Sequence, residues 1–311
     1  MKGMTMSEQY IQANGIQLAY EEFGDQDRPV ILLIMGLATQ MIAWPLDFCR
    51  GLSEQGYRVI RFDNRDIGLS EKMEGQSVPG ILKLAAYSRF NLPLQVPYNL
   101  RDMARDAIGL LDALDIEAAH VVGASMGGMI AQLMAGLYPY RVLSLTSIMS
   151  TSGRRSLPGA DPKVALHMVR RPAASDPVAV QKHAMRTWRL IGSPDYQPSD
   201  EALREKLQLS VNRSFYPAGH TRHMAAIMAS GDRIEVLKKI IAPTLVIHGK
   251  EDALVPVSGG IDTAKHVKNS TLELFDGMGH DLPAQLLPRF VELIAAHAGK
   301  VSHQGMPKVS A

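Results

Sequence analysis

The stretch His120-Val121-Val122-Gly123-Ala124-Ser125-Met126-Gly127-Gly128-Met129-Ile130 decides how the rest of the chain is read. It starts as an apolar strand, turns through glycines with one serine at the tip, and continues as a helix. Gly123-Ala124-Ser125-Met126-Gly127 fits G-x-S-x-G, the pattern of a nucleophile elbow. The spacing has a steric reason. A serine at the apex of so tight a turn is held in a strained backbone conformation that pushes its hydroxyl outward. Small residues two before and two after it let the flanking elements close up. The helix that follows aims its free N–H groups and positive dipole end at the same spot, where an oxyanion would form. Glycine-rich junctions also match this pattern by chance, so Ser125 needs partners elsewhere in the chain.

Working outward, Val30-Ile31-Leu32-Leu33-Ile34-Met35 is fully apolar, the mark of a central parallel strand covered on both faces. Residues 8–13 and 16–23 read as a hairpin about Asn14-Gly15. Strands are expected at 58–62, 142–149, 240–249 and 271–275, and helices at 45–56, 100–114 and 283–297. Residues 71–98 read as a long loop with one short helix around 81–90. Strand and helix alternate, so the expected fold class is α/β with a mostly parallel, doubly wound sheet. The alternation lapses over 151–231, which holds helix-length segments, seven prolines and the scattered Met168, Met185, Met224 and Met228. This predicts an α/β core over 1–150 and 232–297, a helical cap over 151–231 and a flexible tail over 298–311. Methionine suits the adaptable underside of such a cap, and it suits plain core filling equally.

Two loops after core strands carry groups that could serve Ser125. One is His248-Gly249-Lys250-Glu251-Asp252; the other is Asp276-Gly277-Met278-Gly279-His280-Asp281. In an open parallel sheet, loops leaving strand C-termini gather along one edge, so residues remote in sequence can meet there. The reading takes Ser125 as nucleophile, His280 as the base that receives its proton and Asp252 as the carboxylate that orients the imidazole. Glu251, Asp262 and Asp276 compete with Asp252 for that role. His248 reads as structural, Asp63 and Arg65 as braces of a turn, and Asp281 as the cap of a helix opened by Pro283. The backbone N–H groups of Met126 and Leu37 are the expected oxyanion donors. Gly36, Trp44, Met224 and Met228 are candidates for the substrate pocket.

The order Ser, Asp, His, together with these motifs, resembles the α/β-hydrolase fold superfamily, and within it the capped single-chain esterases. Asp63-Asn64-Arg65-Asp66-Ile67-Gly68-Leu69-Ser70 is similar to that family's D-x-R-G-x-G-x-S turn, and Met35-Gly36-Leu37 stands where the family has H-G or similar oxyanion residues. The resemblance runs from about residue 10 to 297. Met35 replaces the family's usual histidine and Asp66 its usual glycine; the first departure bears on the oxyanion loop, the second on a turn. The run Leu33 to Ser70 most resembles aclacinomycin methylesterase-like proteins, which implies a carboxylic-ester substrate; the ordered triad and the elbow lead to the expectation of an acyl-enzyme intermediate and no cofactor.

Composition removes other classes. Among 311 residues the formal net charge is +2, which offers no electrostatic footprint for nucleic acid or an anionic membrane. The longest apolar run, Val30 to Leu37, is too short to span a bilayer, and the N-terminal residues lack the apolar core of a secretory signal. A soluble, cytoplasmic protein is expected; a homodimer is left open. Cys49 alone excludes an internal disulfide, and the ten histidines show no paired metal-ligand spacing, so no metal is expected. Cys49 itself reads as a semi-buried helix thiol. Two other readings keep the same shell. The triad could serve lactone hydrolysis, perhydrolysis or C–C bond hydrolysis, or the chain could be a ligand-binding receptor.

Overall fold

Apolar strands and amphipathic helices assemble, in the computed structural model, into one eight-stranded sheet with helices on both faces. The structure describes residues 8–80, 86, 95–169 and 177–301. The first half runs β1 (Gln9–Ala13), β2 (Ile16–Phe23), β3 (Val30–Ile34), α1 (Leu46–Glu54), β4 (Arg58–Phe62) and α2 (Leu100–Ala113). Then come β5 (Ala119–Ala124), α3 (Met126–Leu137) and β6 (Val142–Ile148). Four helices follow, α4 (Pro162–Val169), α5 (Pro177–Ile191), α6 (Asp200–Arg213) and α7 (Pro217–Ser230), with the single turn α8 (Ile234–Leu237). The chain closes with β7 (Thr244–Gly249), α9 (Ser258–His266), β8 (Ser270–Phe275) and α10 (Leu287–Ala298).

The strand order is β1-β2-β4-β3-β5-β6-β7-β8, antiparallel in the first two pairings and parallel in the rest. The β1–β2 turn uses Asn14 and Gly15 at φ 51° and 78°, the paired left-handed conformation that a two-residue hairpin needs. From β3 the chain steps to β4 on one side and returns to β5 on the other. That switch opens a crevice beyond the strand C-termini, where ligands bind in open α/β sheets. It brings the loop after β3 beside Ser125.

Alternation along β3 divides the core. Val30, Leu32 and Ile34 join one cluster with Leu100, Met103 and Leu110 of α2 and Ile130, Leu133 and Met134 of α3. Ile31 and Leu33 join the other with Phe48 and Leu52 of α1 and Phe290 and Ile294 of α10. Each such side chain contributes about 1.5–3 kcal/mol by burial. A capping box opens α2: Asn99 accepts from the Arg101 N–H at 2.8 Å, and Asp102 accepts from the Asn99 N–H at 2.9 Å. Cys49 is fully rather than half buried, and burial pushes its thiol up to about 12.

Several expectations are corrected. The strand expected from Ile240 begins at Thr244, because Pro243 has no N–H to give the ladder. The helix expected from Pro283 is a single turn at Ala284–Leu286 followed by α10, which runs on to the buried Ala298. Asp281 caps neither. The short helix expected at 81–90 and the tail beyond Val301 lie outside the described residues. Between β6 and β7 the described residues form helices and no strand. No helix among the described residues is long and apolar enough to cross a membrane.

Candidate active site

The elbow is built by backbone contacts that tolerate only glycine. Ser125 sits at φ 57°, ψ −118°, a conformation that costs an L-residue roughly 1–3 kcal/mol. A Cβ on Gly123 would come within 2.2 Å of the Gly127 carbonyl oxygen, and one on Gly127 within 2.0 Å of the Ile34 carbonyl oxygen. The strained turn is fastened from β6: the Ser125 N–H donates to the Ile148 carbonyl at 2.9 Å, and the Ser150 hydroxyl donates to the Ser125 carbonyl at 2.8 Å.

The structure brings Ser125, His280 and Asp252 together. His280 Nε2 lies 2.9 Å from Ser125 Oγ, and its Nδ1 lies 2.7 Å from Asp252 Oδ2. The carboxylate on Nδ1 assigns the proton there and leaves Nε2 as acceptor for the hydroxyl. The other oxygen of Asp252 accepts from the Leu254 and Val255 amides at 2.9 and 2.8 Å. Burial alone would raise this carboxyl. The charge of His280 and the hydrogen bonds from His248, His280 and Val255 outweigh it and hold Asp252 down at about 2. His248 stands beside the carboxylate at 3.4 Å and bonds the Val255 carbonyl oxygen at 2.8 Å, which supports the loop rather than the serine.

The competing carboxylates are elsewhere. Asp276 pairs with Lys250 at the surface, Asp262 receives the Ser152 hydroxyl at 2.6 Å, and Glu251 is exposed. Asp281, expected as a helix cap, accepts from the Ser193 N–H at 3.0 Å and from the Ser193 hydroxyl. It thereby ties the histidine loop to the segment after α5.

The loop after β3 closes the other side. A Cβ on Gly36 would lie 3.1 Å from the Ser125 Cβ, so the loop rests against the serine. Gly36 to Thr39 form a turn closed by the Thr39 N–H on the Gly36 carbonyl at 3.3 Å, with Leu37 and Ala38 at its corners. Met126 opens α3, so its N–H is one of the four without a partner inside the helix. Asn64 holds the Met35 carbonyl at 2.9 Å and Asp63 the Met41 amide at 2.7 Å, the bracing expected of this turn. Asp63 also pairs with Arg213 of α6 at 2.7 Å, while Arg65 pairs with Asp106.

Above this edge lies a cavity of about 660 Å³, lined by Gly36, Leu37, Ser125, His280 and residues of α4 to α7. The size suits a small organic ligand. Its wall is mainly apolar, including Met129, Met149, Trp188, Phe215, Met224 and Ile227, with Lys206 as its cation. Two expected pocket residues are corrected. Trp44 is fully buried and stacks on Phe48 at 5.3 Å, and its neighbour Ala43 reaches the cavity instead. Met228 does not line it; Met224 and Ile227, one turn earlier and one residue earlier on α7, do.

Sequence reasoning missed the ties from α7. Asp66, at φ 68°, receives both Nε and a terminal nitrogen of Arg222, at 2.8 and 2.7 Å, and the Tyr98 hydroxyl at 2.5 Å. An aspartate where a glycine was expected was the available signal.

The family profile described as the alpha/beta hydrolase fold matches residues 29–284. The chain belongs to the α/β-hydrolase fold family. Among curated relatives of this hydrolase-fold chain, rhodomycin D methylesterase from Streptomyces sp. (strain C5) is 27% identical, covering 94% of this chain and 98% of the relative. This bears out the methylesterase resemblance drawn from Leu33 to Ser70. The 3-oxoadipate enol-lactonase 2 of Acinetobacter baylyi is 26% identical over 85% of the chain and 86% of its own length. A solved meta-cleavage product hydrolase from Pseudomonas fluorescens superposes with a TM-score of 0.74 at 22% identity, covering 96% of this chain and 100% of that one. At that identity the likeness speaks to the fold.

Proposed function

We propose that the protein is a serine hydrolase that cleaves carboxylic esters through an acyl-enzyme, without a cofactor. The observation that carries this is the unbroken relay from Ser125 Oγ through His280 to Asp252, at 2.9 and 2.7 Å. In this reading Ser125 Oγ attacks the ester carbonyl carbon as its proton passes to His280 Nε2. The Leu37 and Met126 N–H groups hold the oxyanion, each worth roughly 3 kcal/mol in the transition state. His280 then gives its proton to the departing alkoxide, which leaves as the alcohol. A water attacks the acyl-serine with His280 as base, and the carboxylic acid is released. Asp252, already ionised, stabilises the imidazolium without taking its proton.

Helices α4 to α7, within residues 151–231, act as a cap whose apolar underside selects the substrate. The contribution of Trp188, Met224 and Ile227 from these helices, and of Phe215 from the link before α7, supports a bulky, largely apolar ester. The methylesterase relatives support a methyl or other small alcohol as leaving group. The enol-lactonase relative favours a second reading, a cyclic ester opened by the same chemistry.

Purified protein should release p-nitrophenol from short acyl esters, and Ser125→Ala should abolish this. A Ser125→Ala variant that retains turnover would remove the serine from the mechanism. Parallel assays on a methyl ester and an enol lactone separate the two substrate readings.

A further inference from the structure

Asp66, which stands where the family pattern has a glycine, and Ala38, in the loop that follows Met35, meet consecutive residues of α7. Arg222 binds Asp66 through two nitrogens. His223, fully buried, reaches the oxyanion loop: its Nδ1 accepts the Ala38 N–H at 3.2 Å. Its Nε2 lies 2.7 Å from the Arg65 carbonyl oxygen, which can only accept. The proton therefore sits on Nε2 and the lone pair of Nδ1 faces Ala38.

Ala38 needs such a hold, because it sits at φ 53°, a left-handed conformation unfavourable for a residue with a Cβ. It is also the second corner of the turn whose first corner is Leu37, so the peptide that fixes the Ala38 N–H fixes the direction of the one before it. We propose that His223 is a positioning residue of the oxyanion site: from α7 it holds the Ala38 amide, and with it the turn that presents the Leu37 N–H to Ser125. The inference rests on the serine-hydrolase reading above.

The surroundings of His223 keep it in place and neutral. The first turn of α7 is pressed onto the core, where a Cβ on Gly219 would come within 2.1 Å of the Asp66 carbonyl oxygen. Tyr98 meets the imidazole edge-on at 6.3 Å. Burial pulls His223 down to about 4; the hydrogen bond to the Arg65 carbonyl and the charge of Asp66 oppose this, and the Arg222 and Arg65 guanidinium charges add to it. A protonated ring would set N–H against N–H at Ala38, so the neutral form is the working one.

The test compares His223→Asn with His223→Gln. The Asn side-chain oxygen can occupy the place of Nδ1 and accept from Ala38. The Gln amide nitrogen instead reaches the place of Nε2 and donates to Arg65. Each variant is assayed for kcat and KM on a p-nitrophenyl ester, and for inhibition by a trifluoromethyl ketone whose serine adduct carries an oxyanion. His223→Asn should keep kcat within about threefold, while His223→Gln should lose roughly tenfold or more with KM little changed. Inhibitor affinity should fall in step with kcat. A residue that merely stabilised α7 would make both variants lose alike, or leave inhibitor affinity untouched, and either result overturns the inference. If Ser125→Ala remains active, the serine-hydrolase reading fails instead; if it is dead and the two variants match, only the role of His223 fails.

Discussion

The backbone N–H of His280 donates to the carbonyl of Ile191, the last residue of α5, at 2.6 Å. His280, the proposed general base, is thus hung from the helices between β6 and β7 as well as from the sheet. Ser193 completes the joint: its hydroxyl serves Asp281 and accepts the Gly279 N–H at 2.9 Å. A Cβ on Gly279 would come within 2.5 Å of the Gly192 carbonyl oxygen, so the two segments touch main chain to main chain.

Ser193→Ala should therefore loosen the histidine loop. It removes the hydroxyl that Asp281 and Gly279 share, which should cost about 1–3 kcal/mol in a urea titration. Ester turnover should fall several-fold, with KM nearly constant. Unchanged kcat in a correctly folded variant would show that His280 is placed without this joint.

Asp252→Asn should lower kcat by about a thousandfold or more, since an amide presents the wrong partner to Nδ1 and disfavours the imidazolium. Glu251→Gln, next to it and exposed, should leave kcat as it was. Steady-state rates on one ester distinguish the pair. A loss confined to the Glu251 variant would place the orienting carboxylate at 251.

Stability should decline as the pH is lowered from about 6.5 toward 4. Across that window an unfolded chain protonates residue 223 while the folded chain, held down at about 4, does not. The unfolded state then binds more protons, so folding stability rises with pH there, by an amount on the order of a few kcal/mol. Asp252 acts in a lower window, between 3.8 and about 2, again with stability lost as the pH falls. Denaturant midpoints from pH 7 to 4 measure the first effect, and His223→Asn should flatten the curve. A slope unchanged in that variant would assign the loss to other groups.

Asp66→Gly should destabilise the protein, although it relieves a left-handed backbone. Strain relief returns roughly 1 kcal/mol, whereas leaving the buried Arg222 without its carboxylate costs about 3–5 kcal/mol. Adding Arg222→Met should recover part of the loss. A single variant more stable than the parent would mean that the ion pair contributes less than the strain.

Trp44→Phe should change KM for no ester, because residue 44 packs on Phe48 inside the core. Met224→Ala, in the cavity wall, should shift the preferred acyl length. A panel of p-nitrophenyl esters of increasing chain length reads both.

Much of the frame was legible because it rests on short-range patterns. Val30 to Met35 could only be a strand buried on both faces, and Gly123 to Gly127 could only be a turn where two main chains meet. That a carboxylate of the 248–252 loop could meet His280 was legible in parallel strands, whose C-terminal loops gather at one edge, while the choice of Asp252 over Glu251, Asp262 and Asp276 needed their three-dimensional placement. What escaped was set by long-range packing. Trp44 lies next to the cavity-lining Ala43, and sequence alone does not tell which of two neighbours faces inward. Met224 and Met228 share one helix, yet only the first is turned to the cavity. Asp281 lost its expected cap role to Ser193, and no local signal links those two positions. The carbonyl of Arg65 and the amide of Ala38 meet one imidazole from a distant helix, a contact that no periodicity encodes.

The joints at Ile191, Ser193, Arg222 and His223 limit how such an enzyme can be re-engineered. Grafting α4 to α7 from a relative to broaden substrate range would strip away groups that hold the histidine loop and the β3 turn. A chimera that keeps the side chains of Ser193, Arg222 and His223 and the main-chain path at Ile191 while exchanging the rest should turn over; a wholesale swap should bind its new guest and leave it intact.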